Sequence, residues 1–380
     1  MKKILCVVGA RPNFVKIAPI LRQIARAREN GAALEAVLVH TEQHYDDAMS
    51  AAFFADLEIP PAQWTLGVGS ASHAVQTAEV MKRFEPVLLE ERPDVVLVVG
   101  DVNSTLACAL TAAKLHVAVA HVEAGLRSFD RGMPEEINRI ATDAIADLLL
   151  TSEQSGSDNL LREGHPAERI HFVGNVMIDS LEACRKLAER SDVLDRLGLR
   201  REGPGYALVT LHRPSNVDDA DTFRRILGAL AELAAELPVV FPVHPRTRQR
   251  IAEFGLADLV HAHADDRTPL DAGSRRVTLL PPVRYVDFLR LMGEARLVLT
   301  DSGGIQEETT CLGVPCLTLR ENTERPVTLA MGSNELVGTD PERILARARA
   351  TRREGRVVRR PPLWDGRTAE RIVDVLQRAL

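Results

Sequence analysis

The chain of 380 residues carries 47 Lys and Arg against 53 Asp and Glu, a formal net charge of −6, with 45% apolar and 26% charged residues. These values exclude a disordered chain, a collagen and a disulfide-stapled miniprotein. The acidic balance, with aromatics at only 4%, also argues against a nucleic-acid-binding face.

At this length two domains of roughly 150–200 residues each are expected. The first apolar run, residues 4–8, follows Lys2-Lys3 and ends at Gly9-Ala10-Arg11-Pro12. It is short for a signal-peptide core and no A-x-A-like cleavage site follows, so it reads as a strand. A helix over 14–28 comes next, with Lys16 one turn in, then a strand over 36–40 and Gln43-His44. The run 95–99 leads into Gly100-Asp101 and a helix over 104–115. The run 117–122 leads into Glu123-Ala124-Gly125-Leu126-Arg127, followed by Pro134-Glu135-Glu136 and a strand over 148–150. A charged helical stretch, 179–197, then runs into the loop Gly203-Pro204-Gly205.

That break marks the crossing between domains, taken as 1–174 and 175–365. In the second half the run 207–211 ends at His212-Arg213, before a helix over 222–237. The run 239–243 ends at His244-Pro245-Arg246, and 277–280 follows. The run 297–300 opens onto Asp301-Ser302-Gly303-Gly304, and 316–319 precedes Glu324-Arg325-Pro326. A last helix within 366–380 is expected to pack back on the first domain. Continuous Val, Ile and Leu runs suit parallel strands buried on both faces. Their alternation with helices predicts an α/β chain of two Rossmann-like, doubly wound domains.

Ligands of such sheets bind beyond the carboxyl ends of the strands. A glycine pair opening a helix, as in Ser302-Gly303-Gly304, lets backbone amides approach a phosphate at the positive end of the helix dipole. Arg11, His212 and Arg325 at strand ends add cations, and together they describe a diphosphate site. Glu308 would be repelled by phosphate, so a ribose hydroxyl pair is its expected partner. Asp101, Glu123 and Glu135 form a second group, in which mutual repulsion suits acid–base work. The turn after the first strand lacks GxGxxG, so no NAD site is expected. His261, His263, Asp265 and Asp266 could bind a metal but lack a framing motif. Asp218, Asp219 and Asp221 are better explained by capping the helix from Thr222. The five cysteines form no CxxC pair and read as core residues in a reducing compartment. No stretch approaches the ~20 apolar residues of a membrane span, and a cytoplasmic enzyme is expected.

These segments, in this order, resemble the non-hydrolysing UDP-N-acetylglucosamine 2-epimerases. The likeness runs over nearly the whole chain and is most specific in residues 121–127, HVEAGLR, and 301–308, DSGGIQEE. It implies a glycosyltransferase-B-like fold with the active site in the interdomain cleft. It also implies interconversion of UDP-GlcNAc and UDP-ManNAc without NAD or metal, by a homodimer that supplies surface polysaccharide precursors. By the resemblance, Asp101, Glu123 and Glu135 serve the sugar, and His212 supports the departing diphosphate. Arg11, Lys16, Ser302, Gly303, Gly304 and Arg325 bind the diphosphate, Glu308 holds the ribose and Phe288 borders the uracil.

Many bacterial members carry Arg after the Gln-His pair, in a region linked to activation by substrate. Here Tyr45, Asp46 and Asp47 follow, so that property is not carried over. After His212-Arg213 the common Arg-Glu is replaced by Pro214-Ser215. Relatives acting on UDP-2,3-diacetamido-glucuronate, and a hydrolysing branch releasing ManNAc, share much of the pattern. A retaining glycosyltransferase and an inactive nucleotide-sugar sensor are the readings from other classes.

Overall fold

All the long apolar runs become strands of two parallel sheets, in a computed structural model that describes residues 1–43, 54–199, 205–271, 274–352 and 358–380. His44, Tyr45, Asp46, Asp47, Gly203 and Pro204 lie outside the described residues, as does the side chain of Arg11. The chain divides into one unit of Met1–Ala183 with Pro362–Leu380, and a second of Cys184–Pro361.

The first unit holds a seven-stranded sheet in the order β3-β2-β1-β4-β5-β6-β7. Its strands are β1 (Lys2–Val8), β2 (Leu34–His40), β3 (Trp64–Thr65), β4 (Val95–Val99), β5 (Ala118–Val122), β6 (Leu148–Thr151) and β7 (Ile170–Phe172). β4 is buried along its whole length, as a strand covered by helices on both faces must be. Leu5, Val7, Val96, Val98 and Val119 from the sheet pack with Val80, Phe84 and Ala109 from the helices.

The second unit holds another seven-stranded sheet, ordered β10-β11-β9-β8-β12-β13-β14. Here the strands are β8 (Ala207–Thr210), β9 (Val239–Pro242), β10 (Val260–Ala262), β11 (Val277–Leu280), β12 (Leu297–Thr300), β13 (Cys316–Thr318) and β14 (Asn334–Leu336). Val209, Phe241 and Leu299 pack against Phe223, Ile226 and Leu230 of the helix Ala220–Ala234. In the second sheet β11 inserts between β10 and β9. The chain crosses to the other side of its first strand between β1 and β4 in one sheet and between β8 and β12 in the other. These are the switch points where such sheets take ligands.

The last helix, Thr368–Ala379, belongs to the first unit. Buried Asp179 caps it, accepting the Thr368 amide at 3.1 Å and the Ala369 amide at 2.7 Å. Burial pushes the Asp179 carboxyl up to about 6, against the downward pull of these amides. Its ionisation therefore costs stability as pH rises from the ordinary 3.8 to about 6. Asp179→Ala leaves two buried amides without this acceptor. We expect a loss of roughly 2–4 kcal/mol in urea unfolding, from a cap and two hydrogen bonds.

All five cysteines are buried thiols. No described helix is long and apolar enough to cross a membrane. Among the described residues no group of three His, Cys, Asp or Glu could hold a metal ion. His263 instead lies 3.0 Å from the Thr268 carbonyl, while Asp265 accepts the Arg267 and Thr268 amides. Asp219 caps the helix that begins at Ala220, two residues before the expected start. Asp218 pairs with Arg246 and Arg250.

Candidate active-site groups in the two units

In the first unit β4 and β5 lie side by side in register, Val99 beside Val122. The residues that follow them, Gly100-Asp101 and Glu123, therefore emerge together. Glu123 is buried and adopts φ +70°, a left-handed conformation that non-glycine side chains rarely take and that concentrates at functional sites. Its Oε2 is ion-paired with the buried ammonium of Lys16. A Cβ on Gly100 would stand 2.9 Å from that ammonium and 3.6 Å from Glu123 Oε2, so glycine keeps the pair in contact with the turn. Asn13 ties the turn after β1 to β4, accepting the Gly9 and Ala10 amides and donating to the Val99 carbonyl at 2.9 Å.

Asp101 is partly exposed and sits 3.3 Å from Arg139 Nε. Its carbonyl accepts from Asn138 at 2.9 Å. Glu135 stands in the first turn of the helix Pro134–Ile145, four residues before Arg139 and hence on the same face. Arg139 also binds Glu136 at 2.7 Å. The Glu136 carboxylate in turn accepts the Ser128 and Phe129 amides. Sequence reasoning gave no role to Glu136, Asn138 or Arg139. The signal was the spacing Glu135, Asn138, Arg139 on one helical face.

The ammonium of Lys16, expected at the diphosphate, is ion-paired here with Glu123 and so orients that carboxylate.

In the second unit β8 pairs with β12, Thr210 beside Thr300, which sets His212 near Asp301. Asp301 is fully buried and accepts the amides of His212 and Arg213 and the Asn216 side chain at 3.1 Å. The His212 ring is about half exposed, with Nδ1 2.9 Å from Asp301 Oδ1. Burial disfavours the Asp301 carboxylate, but His212 and the amides outweigh it and hold its carboxyl below the ordinary 3.8. Asp301 thus orients His212. Sequence reasoning took Asp301 only as the head of the glycine motif.

The helix Gly303–Leu312 begins with the glycine pair, whose amides lack intrahelical acceptors by position. The Ser302 amide is engaged by Thr300 Oγ1 at 3.0 Å. Arg325 is buried and ion-paired with Glu307. Glu324 joins the same cluster, 2.8 Å from Arg320 and 3.5 Å from Arg213. A Cβ on Gly303 would lie 2.8 Å from Glu324 Oε1. This cluster therefore supports the amide turn from beneath.

Glu308 is buried and accepts from Tyr285 Oη at 2.7 Å. Burial pushes its carboxyl up to about 7, against the pull of that hydrogen bond. Burial and Glu308 together raise the Tyr285 hydroxyl well above 10.0, so it stays the donor. Phe288 is half-buried one helical turn after Tyr285, on the helix Tyr285–Glu294.

The family model described as UDP-N-acetylglucosamine 2-epimerase matches residues 26–377. The UDP-N-acetylglucosamine 2-epimerase of Methanocaldococcus jannaschii is 39% identical over 98% of this chain and 98% of its own. The crystal structure of that organism's UDP-GlcNAc 2-epimerase, in complex with UDP-GlcNAc and UDP, aligns with TM-score 0.88 over 99% of both chains. The UDP-2,3-diacetamido-2,3-dideoxy-D-glucuronate 2-epimerase of Pseudomonas aeruginosa is 40% identical over 92% of each chain. The α/β fold with two Rossmann-like sheets is therefore shared with solved enzyme structures.

Proposed function

The chain belongs to the UDP-N-acetylglucosamine 2-epimerase family, and on that premise we propose that it interconverts UDP-GlcNAc and UDP-ManNAc. The observation that carries this reading is the buried Glu123, ion-paired to Lys16 in a left-handed conformation beside Asp101. The reaction is an anti elimination followed by a re-addition. The C1–O bond breaks, its electron pair leaves with UDP, and the C2 proton passes to a carboxylate. The 2-acetamidoglucal then takes UDP back at C1 and a proton at C2 on the opposite face. No net oxidation occurs.

The C2 hydrogen is weakly acidic, so bond breaking at C1 runs ahead of deprotonation. Asp101, Glu123 and Glu135 stabilise the positive charge that develops on the sugar and exchange its proton. His212, oriented by Asp301, donates toward the departing diphosphate together with the Gly303 and Gly304 amides. The buried Arg325 cluster adds positive potential below them. Glu308 accepts from the ribose hydroxyls and Phe288 borders the base. Arg11 holds its place in this scheme by family resemblance.

Incubation with UDP-GlcNAc in heavy water, followed by NMR, tests the reading. Deuterium at C2 and formation of UDP-ManNAc are expected, and absence of C2 exchange on every UDP-sugar tried overturns it. The 40% identity to the Pseudomonas enzyme supports a second substrate reading. UDP-2,3-diacetamido-glucuronate therefore forms a parallel arm, and free ManNAc with UDP would assign a hydrolytic enzyme. A cytoplasmic homodimer supplying polysaccharide precursors completes the proposal, and light scattering checks the dimer.

A further inference from the structure

We propose that His121, backed by Asp143, is a positioning residue that holds the turns carrying both Asp101 and Glu123. This rests on the reading of those carboxylates as the acid–base groups. His121 lies on β5 and is fully buried. Its Nε2 is 2.9 Å from the Gly100 carbonyl. A carbonyl only accepts, so Nε2 carries a hydrogen. Its Nδ1 is 2.7 Å from Asp143 Oδ1.

The other Asp143 oxygen accepts the Gly125 amide at 3.0 Å and lies 2.7 Å from Arg127 Nη1. Two donors thus converge on that oxygen, while Oδ1 faces the His121 ring. Burial disfavours the Asp143 carboxylate, but His121 and Arg127 outweigh it and keep its carboxyl below the ordinary 3.8. Arg127 is balanced in turn by Glu163, 2.6 Å from Nη2. Each buried ionic group of this network thus has a partner, as buried ions must.

The network reaches both catalytic turns. Gly100, at φ +70°, directly precedes Asp101. Gly125, at φ +79°, follows Glu123 by two residues. A Cβ there would approach the Gly156 carbonyl oxygen to 2.2 Å, so the turn cannot relax by substitution. Removing the ring would leave the Gly100 carbonyl without this donor and Asp143 without this partner. Either loss would release one turn and the carboxylate it carries.

Two measurements test this. In the full-length wild-type chain with 15N-labelled histidine, His121 should show a proton on Nε2, hydrogen-bonded to the Gly100 carbonyl. A ring with a bare Nε2 overturns the proposal, and this readout needs no variant. His121→Gln should lower kcat by about 100-fold, the effect of misplacing a catalytic group by about an ångström. UDP affinity by titration calorimetry should stay within about threefold, because, Arg11 apart, the proposed diphosphate donors belong to the second unit. Unchanged kcat, or kcat and UDP affinity falling together, overturns the positioning role. The heavy-water assay on wild type is run first. Failure there sinks the function itself, whereas a loss confined to the variant bears on His121 alone.

Discussion

Glu123→Gln is expected to lower kcat by at least ~10³-fold, toward the upper range for loss of a positioned acid–base group. The amide matches the carboxylate in shape, so the backbone at φ +70° experiences no new steric demand. What disappears is the charge. The variant can neither accept the C2 proton nor offset positive charge on the sugar, and Lys16 loses its buried ion-pair partner. UDP binding should persist, because its proposed donors, His212, Gly303 and Gly304, follow strands of the other sheet. Asp101→Asn should behave alike, but with a smaller effect on stability because Asp101 is partly exposed. Turnover comparable to wild type in either variant would remove that residue from the mechanism. Loss of turnover together with loss of UDP binding would show damage to the fold instead.

Glu308→Gln should make the protein more stable at pH 8 and a poorer UDP binder. The folded state raises the Glu308 carboxyl from 4.5 to about 7, so it holds this proton more tightly than the unfolded chain does. The stability contributed is complete below about 4.5 and is lost as pH rises through about 7. At pH 8 the wild type carries a buried negative charge that the glutamine variant lacks. The expected gain is roughly 3 kcal/mol, from the rise between 4.5 and about 7 at ~1.4 kcal/mol for each pH unit. At pH 5 both side chains are neutral and the gain should nearly vanish. Equal gains at pH 5 and pH 8 in urea unfolding would contradict the charge argument. UDP affinity should fall by about tenfold or more at pH 8, the cost of losing a charged acceptor for hydroxyls. Stability and binding thus oppose each other at one side chain.

Much of the fold was legible because the inner strands are uninterrupted apolar runs. β4, β11 and β12 begin and end at the expected residues. The strands without a counterpart in the sequence reading are β3, β7, β10 and β14, which form the edges of the two sheets. An edge strand has one neighbour and partial burial, so sequences such as Trp64-Thr65 and 334–336, Asn-Glu-Leu, carry no apolar signal. The site was legible where polar residues follow a strand, as at Asp101, Glu123, His212 and Asp301. The partnerships were not. Nothing local in the chain says that Lys16 meets Glu123 across 107 positions, or that His121 meets Asp143 across 22. Those pairings come from strand order, which sequence periodicity does not encode.

The brevity of the edge strands has a further effect. β3 has two residues, and β7, β10 and β14 have three each. A strand this short offers few unpaired amides and carbonyls for another chain to zip onto, which is how natural sheets resist edge-to-edge aggregation. The long, very apolar strands, such as β4 with its five-residue Val and Leu run, are walled in from both sides. The segments most prone to self-association are thus out of reach while the chain is folded, and become a hazard only when a sheet opens.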